Sequence, residues 1–130
     1  MTVHHLHDQR TYQIIGAAME VHGILHRGLL EHIYCEALAV EFELRAIPFA
    51  PQVPCQIIYK ERRLTGFHRI DFVCFDDIVV EVKASSLTGP AEQAQVLNYL
   101  AISEHRLGLL LNFGRPSLEY RRFVLDEGGH

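Results

Sequence analysis

The chain has 130 residues, a mass of 14.9 kDa and a formal net charge of −4, and we treat residues 1–130 as one domain that can enclose a hydrophobic core. Its 48% hydrophobic and 22% charged residues exclude an intrinsically disordered chain. The acidic balance excludes a protein that coats nucleic acid by bulk positive charge, but it is compatible with a local basic patch. No apolar stretch approaches the ~20 residues of a membrane span, and the N-terminus lacks the pattern of a secretory signal.

The N-terminal part of the chain predicts a flexible arm followed by two helices. Residues 1–8 carry three histidines and predict a solvated arm. Over about residues 8–25, apolar side chains recur every three or four positions, which predicts an amphipathic helix. A second pattern of this kind covers about residues 29–45. The prolines of residues 48–54 are expected to end this helix and to form an irregular connection.

The remainder of the chain predicts five strands and one helix. The strand segments are rich in β-branched and aromatic residues, and turn-forming residues separate them. The strands cover about residues 53–59, 64–75, 78–84, 106–113 and 118–124, and the helix covers about residues 91–103. Residues 60–63 predict a charged turn, and Gly66 predicts a bulge. The order α-α-β-β-β-α-β-β predicts an α/β sandwich in which helices pack on a mixed sheet.

Three charged residues occur inside segments that are predicted to be buried. Asp71 lies in the second strand, whereas Glu81 and Lys83 lie two residues apart in the third and therefore share a face. Because unpaired charges are costly to bury, these residues require partners. One interpretation is a structural ion pair, in which the lysine neutralises a carboxylate.

The other interpretation is a metal site. Carboxylate oxygens on adjacent strands suit Mg²⁺ or Mn²⁺, and a neighbouring lysine can orient an attacking water molecule. A two-residue hairpin without a bulge would place Asp71 and Glu81 on opposite faces. The metal interpretation therefore predicts a three-residue turn or a bulge around residues 75–77.

Two helices carry further polar pairs. Gln95 and Tyr99 share a helix face because they are four residues apart, and such a pair can contact a phosphate or brace a lysine. A solvated helix edge is the alternative interpretation. In the second predicted helix, Glu31 and Tyr34 follow Gly28, and a helical glutamate alone carries little information.

Taken together, these residues resemble a known family. The chain resembles the GxxExxY family, which is placed in the PD-(D/E)xK nuclease-like superfamily, over about residues 14–124. The naming motif is present as Gly28-Leu-Leu-Glu31-His-Ile-Tyr34, and it is followed in order by Arg69-Ile-Asp71, Glu81-Val-Lys83-Ala84 and Gln95-xxx-Tyr99. The residue before the aspartate is Ile70 rather than the proline of the superfamily pattern.

The resemblance implies a restriction-endonuclease-like fold and a division of roles. Asp71, Glu81, the Val82 carbonyl and Glu31 would hold Mg²⁺ or Mn²⁺. Lys83 would position the nucleophilic water, and Gln95 and Tyr99 would steady the site or the substrate backbone. The basic residues near the expected mouth would contact phosphates; they are Arg62, Arg63, Arg69 and Arg115.

The favoured hypothesis is therefore a divalent-metal-dependent nuclease that hydrolyses phosphodiester bonds in DNA or RNA. The alternatives are a non-catalytic nucleic-acid-binding or regulatory module on the same fold, and metal storage by the N-terminal histidines. The predicted partners are nucleic acid and either a second copy of the chain or an unidentified protein partner, without a membrane. Three cysteines without a CxxC pair predict free thiols in a reducing, cytoplasmic compartment.

Overall fold

The computed structural model describes residues 8–86 and 89–125, and its element order confirms the predicted one. Residues 1–7 of the predicted arm, with His4, His5 and His7, lie outside these residues, whereas Asp8 is not part of a flexible arm and caps α1 by accepting from Arg10 N at 2.8 Å. The elements are α1 (Gln9–Leu25), α2 (Glu31–Leu44), β1 (Phe49–Tyr59), β2 (Arg62–Cys74), β3 (Ile78–Lys83), α3 (Pro90–Ser103), β4 (Leu107–Asn112) and β5 (Glu119–Val124).

A five-stranded mixed sheet separates two helical layers. The strand order is β1-β2-β3-β4-β5; β3 and β4 are parallel, and the other neighbours are antiparallel. The larger core cluster joins α1 and α2 to one face of the sheet, and the smaller cluster joins α3 to the other face. Among the described residues, no helix is both long and apolar enough to cross a membrane.

The interpretation of residues 48–54 as an irregular connection is wrong, because β1 already begins at Phe49. Pro51 pairs with Phe72, and Pro54 pairs with Arg69. Proline is tolerated here because β1 is an edge strand with a single neighbour, so the missing N–H groups cost little pairing. A sequence pattern that excludes proline from strands does not distinguish an edge strand from a central one.

The first two strands extend well beyond the rest of the sheet. β1 has 11 residues and β2 has 13, whereas β3 pairs only with the last three residues of β2. Residues 53–70 therefore form a two-stranded ribbon, which we call the β1–β2 ribbon. Its register shifts between the Gln56 and Ile58 pairs, next to Gly66, which confirms the predicted bulge. Arg62 and Arg63 begin β2 instead of lying in the turn as predicted.

The end of β4 is tied to the segment that follows β3. The Asn112 Oδ1 atom accepts hydrogen bonds from Ser85 N (3.1 Å) and Gly114 N (2.9 Å), and Asn112 Nδ2 donates to Ser85 O (2.9 Å). Phe113 N donates to Lys83 O at 2.8 Å. Because these bonds bind the end of β3 on its β4 side, they hold Lys83 in place.

We expect Gly114→Ala to lower the free energy of unfolding by roughly 2–3 kcal/mol. A Cβ atom at this position would lie 2.4 Å from Ser85 O and 2.5 Å from Ser85 N, and these backbone atoms are held by Asn112. Urea-induced unfolding measures the effect. The control is Gly23→Ala in α1, where no atom lies within 4 Å of the new methyl group, and where helix propensity predicts a gain of ~0.5–1 kcal/mol. Equal stabilities of the two variants would contradict this packing.

Candidate active site

The site begins at a three-residue loop between β2 and β3. The loop comprises residues 75–77, and Phe75 and Asp76 both have positive φ angles (56° and 55°). The adjacent pairs are Cys74 with Ile78 and Phe72 with Val80. The three-residue turn that the metal interpretation required is therefore confirmed, and one further step of this register places Asp71 opposite Glu81.

At this point β2 and β3 separate, and we call the opening between them the fork. The two carboxylates occupy the fork and replace the backbone ladder there. Asp71 N donates to Glu81 Oε1 at 2.9 Å, and Val82 N donates to Asp71 Oδ2 at 2.8 Å. Each acidic side chain thus accepts a hydrogen bond from the opposite strand, and the two carboxylates are brought together.

Glu81 is nearly fully buried, at 2% exposure, and its second oxygen has a histidine partner. His68 Nε2 lies 2.8 Å from Glu81 Oε2, and the His68 ring stacks on the Tyr99 ring of α3, with centroids 3.8 Å apart and planes 5° from parallel. His68 was not among the predicted site residues. The period of two places it on the same face of β2 as Ile70, but this period does not identify Glu81 as its partner.

Asp71 faces a different neighbourhood. It lines an open cleft with Gln52 of β1 and with residues at the start of α2, including Glu31 and Cys35. The Gln52 side chain faces Asp71 in this cleft and lowers the pKa of its carboxyl group, against the larger effect of burial. The fork therefore connects the α2 side, through Asp71, with the α3 side, through Glu81 and His68.

The loop before α2 explains why Glu31 lies at this cleft. Gly28 has φ 110°, a conformation that other residues rarely adopt. The hydroxyl of Tyr34 donates to His26 O and accepts from Leu29 N at 3.1 Å. Tyr34 is fully buried, and its ring stacks on Phe113 with centroids 4.7 Å apart. These contacts fix the loop, so that α2 begins at Glu31 and not at residue 29 as predicted.

Burial raises the pKa values of both central carboxyl groups. For Asp71, desolvation is the main cause, opposed by the hydrogen bond from Val82 N and by the charge of Lys83. For Glu81, desolvation again dominates, and the nearby Asp71 charge raises the pKa further. The pKa of the Cys35 thiol is raised to about 12 by burial and by the negative charges of the cleft, so this cysteine is a poor nucleophile.

Lys83 and Gln95, two further predicted site residues, lie on β3 and α3. Lys83 is half-buried on the same side of β3 as Glu81, and its charge acts on Asp71. Within the described residues, however, Glu81 is hydrogen-bonded to His68, and no ion pair joins Glu81 or Asp71 to Lys83. The structural ion pair that the first interpretation proposed is therefore not formed. Gln95 is exposed one helical turn before Tyr99.

The predicted phosphate-binding arginines occupy two places. Arg62, Arg63 and Arg69 lie on the β1–β2 ribbon and are exposed. Arg115 lies after β4, where its Nη1 atom donates to Ser86 O at 3.2 Å and lies 3.8 Å from a Glu119 oxygen. The first three thus share one element, and Arg115 lies apart from them on another segment.

The donor atoms at the fork fit a hard divalent cation. In residues 8–86 and 89–125, no group of three or more His, Cys, Asp or Glu residues forms a complete metal cluster, so protein carboxylates alone do not enclose an ion. The N–H of Val82 points into the fork, and the carbonyl of a strand residue points to the same side as its N–H. Asp71, Glu81 and the Val82 carbonyl therefore offer oxygen ligands, as Mg²⁺ and Mn²⁺ prefer.

Comparisons with known proteins place this geometry in context. The model of the PD-(D/E)XK nuclease superfamily matches residues 8–123, which include the fork, the ribbon and all three helices. The mixed sheet with its flanking helices is consistent with the restriction-endonuclease-like fold. No curated protein and no solved structure matches the chain.

We expect Glu81→Gln to stabilise the metal-free protein near neutral pH, by about 1–3 kcal/mol. Because the folded-state pKa of Glu81 is raised, its contribution to stability is greatest below the unfolded-state pKa and is lost as the pH rises through the folded-state pKa. The amide retains the acceptor for Asp71 N. Urea unfolding at several values between about pH 5 and pH 8 tests this, and the gain should shrink towards the acidic end.

The control for this measurement is Glu36→Gln on α2, where the glutamate is exposed and where surface substitution changes stability by at most about 0.5 kcal/mol. A Glu81→Gln variant that is less stable than the wild type at pH 8 would mean that the carboxylate is a net stabilising group of the fork.

Proposed function

Because this chain belongs to the PD-(D/E)XK nuclease superfamily, we propose that it is a divalent-metal-dependent nuclease that hydrolyses phosphodiester bonds in DNA or RNA. One observation carries the proposal. At the fork, the Asp71 carboxylate accepts a hydrogen bond from Val82 N of β3, and the Glu81 carboxylate accepts one from Asp71 N of β2. Lys83 lies two residues after Glu81 on β3. A buried and a half-buried carboxylate with raised pKa values are costly for a fold unless a cation compensates them.

We assign the metal ligands to Asp71, Glu81 and the Val82 carbonyl, with Glu31 reaching the ion from the cleft. When bound, Mg²⁺ or Mn²⁺ supplies Lewis-acid polarisation of the phosphate and neutralises charge that develops during hydrolysis. The ammonium group of Lys83 donates hydrogen bonds that orient the attacking water and stabilise negative charge. Glu31 fits this assignment because the Gly28–Tyr34 loop directs the start of α2 to the cleft of Asp71.

Three residues complete the proposed site from the α3 side. The stacked rings of His68 and Tyr99 hold the outer oxygen of Glu81 in one orientation, so we regard both as positioning residues. Gln95, which is exposed on the next turn of α3, is available to the substrate backbone. The loop and helix start at Gly28, Glu31 and Tyr34 also support membership of the GxxExxY subfamily, as a further part of the proposal.

The proposed substrate is nucleic acid, and residues 8–86 and 89–125 form one such site, at the fork. We therefore propose that cleavage of both strands of a duplex requires a second copy of the chain or a protein partner. The three cysteines are free, in keeping with the proposed cytoplasmic location.

We expect Lys83→Ala to reduce the cleavage rate by about 10²–10³-fold, the usual effect of removing one group that stabilises developing charge. Its thermal unfolding should stay close to that of the wild type, because no ion pair joins Lys83 to Asp71 or Glu81 in the part of the chain that the structure describes. The measurement combines a cleavage assay on labelled single- and double-stranded DNA and RNA, with Mg²⁺ or Mn²⁺, and a thermal melt of the same samples. Retained cleavage, or a loss of about 3 kcal/mol of stability, would contradict the proposed role.

We expect Asp71→Asn to abolish both cleavage and the binding of Mg²⁺ or Mn²⁺, as measured by titration calorimetry. The matched control is Asp76→Asn, an exposed aspartate in the neighbouring loop whose left-handed conformation asparagine also accepts. Metal binding that survives in Asp71→Asn would remove the fork as the metal site. Binding without cleavage in the wild type would favour the alternative function, a non-catalytic nucleic-acid-binding module.

A further inference from the structure

The β1–β2 ribbon carries a charge opposite to that of the rest of the chain. Residues 53–70 contain four of the twelve basic residues and one of the sixteen acidic residues. The ribbon therefore has a formal charge of +3, whereas the remaining residues carry −7. An acidic protein with one basic projection directs a polyanion to that projection and repels it elsewhere.

An aromatic ring lies exposed on the same ribbon, beside an arginine. Phe67 is 46% exposed, and the Arg69 guanidinium lies 5.1 Å from the centroid of its ring. A phenylalanine on a solvated strand face contributes nothing to the core, and neither core cluster includes it. Aromatic rings and guanidinium planes are the groups on which unpaired nucleic-acid bases stack.

This pair leads to the fork. His68 and Ile70 face α3, so Phe67 and Arg69 face the opposite side of the ribbon. That is the side of α2, whose first turn forms the open cleft with Asp71. Because β2 is antiparallel to β3, the ribbon also projects past the end of β3 at which Lys83 lies. A strand bound along Phe67 and Arg69 would therefore enter the cleft at Asp71.

We propose that the β1–β2 ribbon binds an unpaired stretch of nucleic acid, with a base stacked on Phe67 and the adjacent phosphates on Arg69 and the basic residues near the ribbon tip. A single strand fits better than a duplex, because the flat face of Phe67 pairs with a base only when that base is unstacked. The inference rests on the proposed function, because the ribbon would present substrate to the nuclease site. Binding to the ribbon, however, is measured without cleavage.

The test is fluorescence anisotropy with labelled oligonucleotides in EDTA, which prevents cleavage. The probes are oligo(dT), oligo(U) and a mixed-sequence DNA duplex, each of about 20 nucleotides or base pairs, longer than a typical single-domain site. We expect the full chain to bind at least one single strand about tenfold more tightly than the duplex. A further probe, oligo(dU), differs from oligo(U) only in the sugar, so the comparison of these two identifies the sugar that the site prefers.

Phe67→Ala should weaken single-strand binding by about tenfold, the usual effect of removing one stacking platform, whereas Phe67→Tyr should preserve it. The control is Tyr120→Ala on β5. Tyr120 is 42% exposed and has the Arg122 guanidinium 5.5 Å from its ring centroid, so it reproduces the aromatic–arginine pair at the other edge of the sheet.

Arg69→Ala should reduce the salt dependence of single-strand binding. The slope of the logarithm of the binding constant against the logarithm of the salt concentration should become shallower by about 0.7.

Equal effects of Phe67→Ala and Tyr120→Ala would overturn the inference, as would duplex binding as tight as single-strand binding or no nucleic-acid binding at all. Phe67-dependent binding without cleavage by any metal would sustain the inference and overturn the proposed nuclease. Cleavage that depends on Lys83, together with binding that is unchanged in Phe67→Ala, would sustain the proposed nuclease and overturn the inference.

Discussion

The structure depends on the exchange of two backbone hydrogen bonds for two carboxylate hydrogen bonds at the fork. Asp71 accepts from Val82 N, and Glu81 accepts from Asp71 N, so the acidic groups take the place of ladder carbonyls. This exchange leaves β3 paired on one side only, with the parallel strand β4, beyond Val80. The donors stay satisfied because each N–H that loses a ladder partner gains a carboxylate oxygen as acceptor.

The surrounding core holds this exchange in place. Val80 and Val82 pack into the cluster under α1 and α2, whereas Val79 packs under α3, so β3 cannot rotate to release Glu81. The side chain of Asn112 and the stacked ring of Tyr34 fix the segments on either side. The polar groups at the fork, Asp71, Glu81 and Lys83, lie on β2 and β3. A preorganised site requires its functional groups to be held by such regular elements.

Much of this arrangement could be predicted from the sequence because it follows from periodicity. The apolar pattern predicts the element order, and the period of two in strands relates the placement of Asp71 and Glu81 to the length of residues 75–77. The edge position of β1 could not be predicted, since the tolerance of Pro51 and Pro54 depends on the absence of a second neighbour. The contact of His68 with Glu81 across 13 residues was also missed, because a histidine on a strand has no spacing rule that points to its partner.

The prolines of β1 also affect how copies of the chain can associate. An exposed sheet edge invites a strand from another molecule, and prolines and kinks are common means of preventing it. Pro51 and Pro54 lack backbone N–H donors, and the positive φ angle of Gln52 (52°) interrupts the flatness of β1 between them. β5 carries no proline and forms the opposite edge. Any continuous sheet that spans two molecules would therefore be joined through β5, which would leave the β1–β2 ribbons at the two far ends of the assembly.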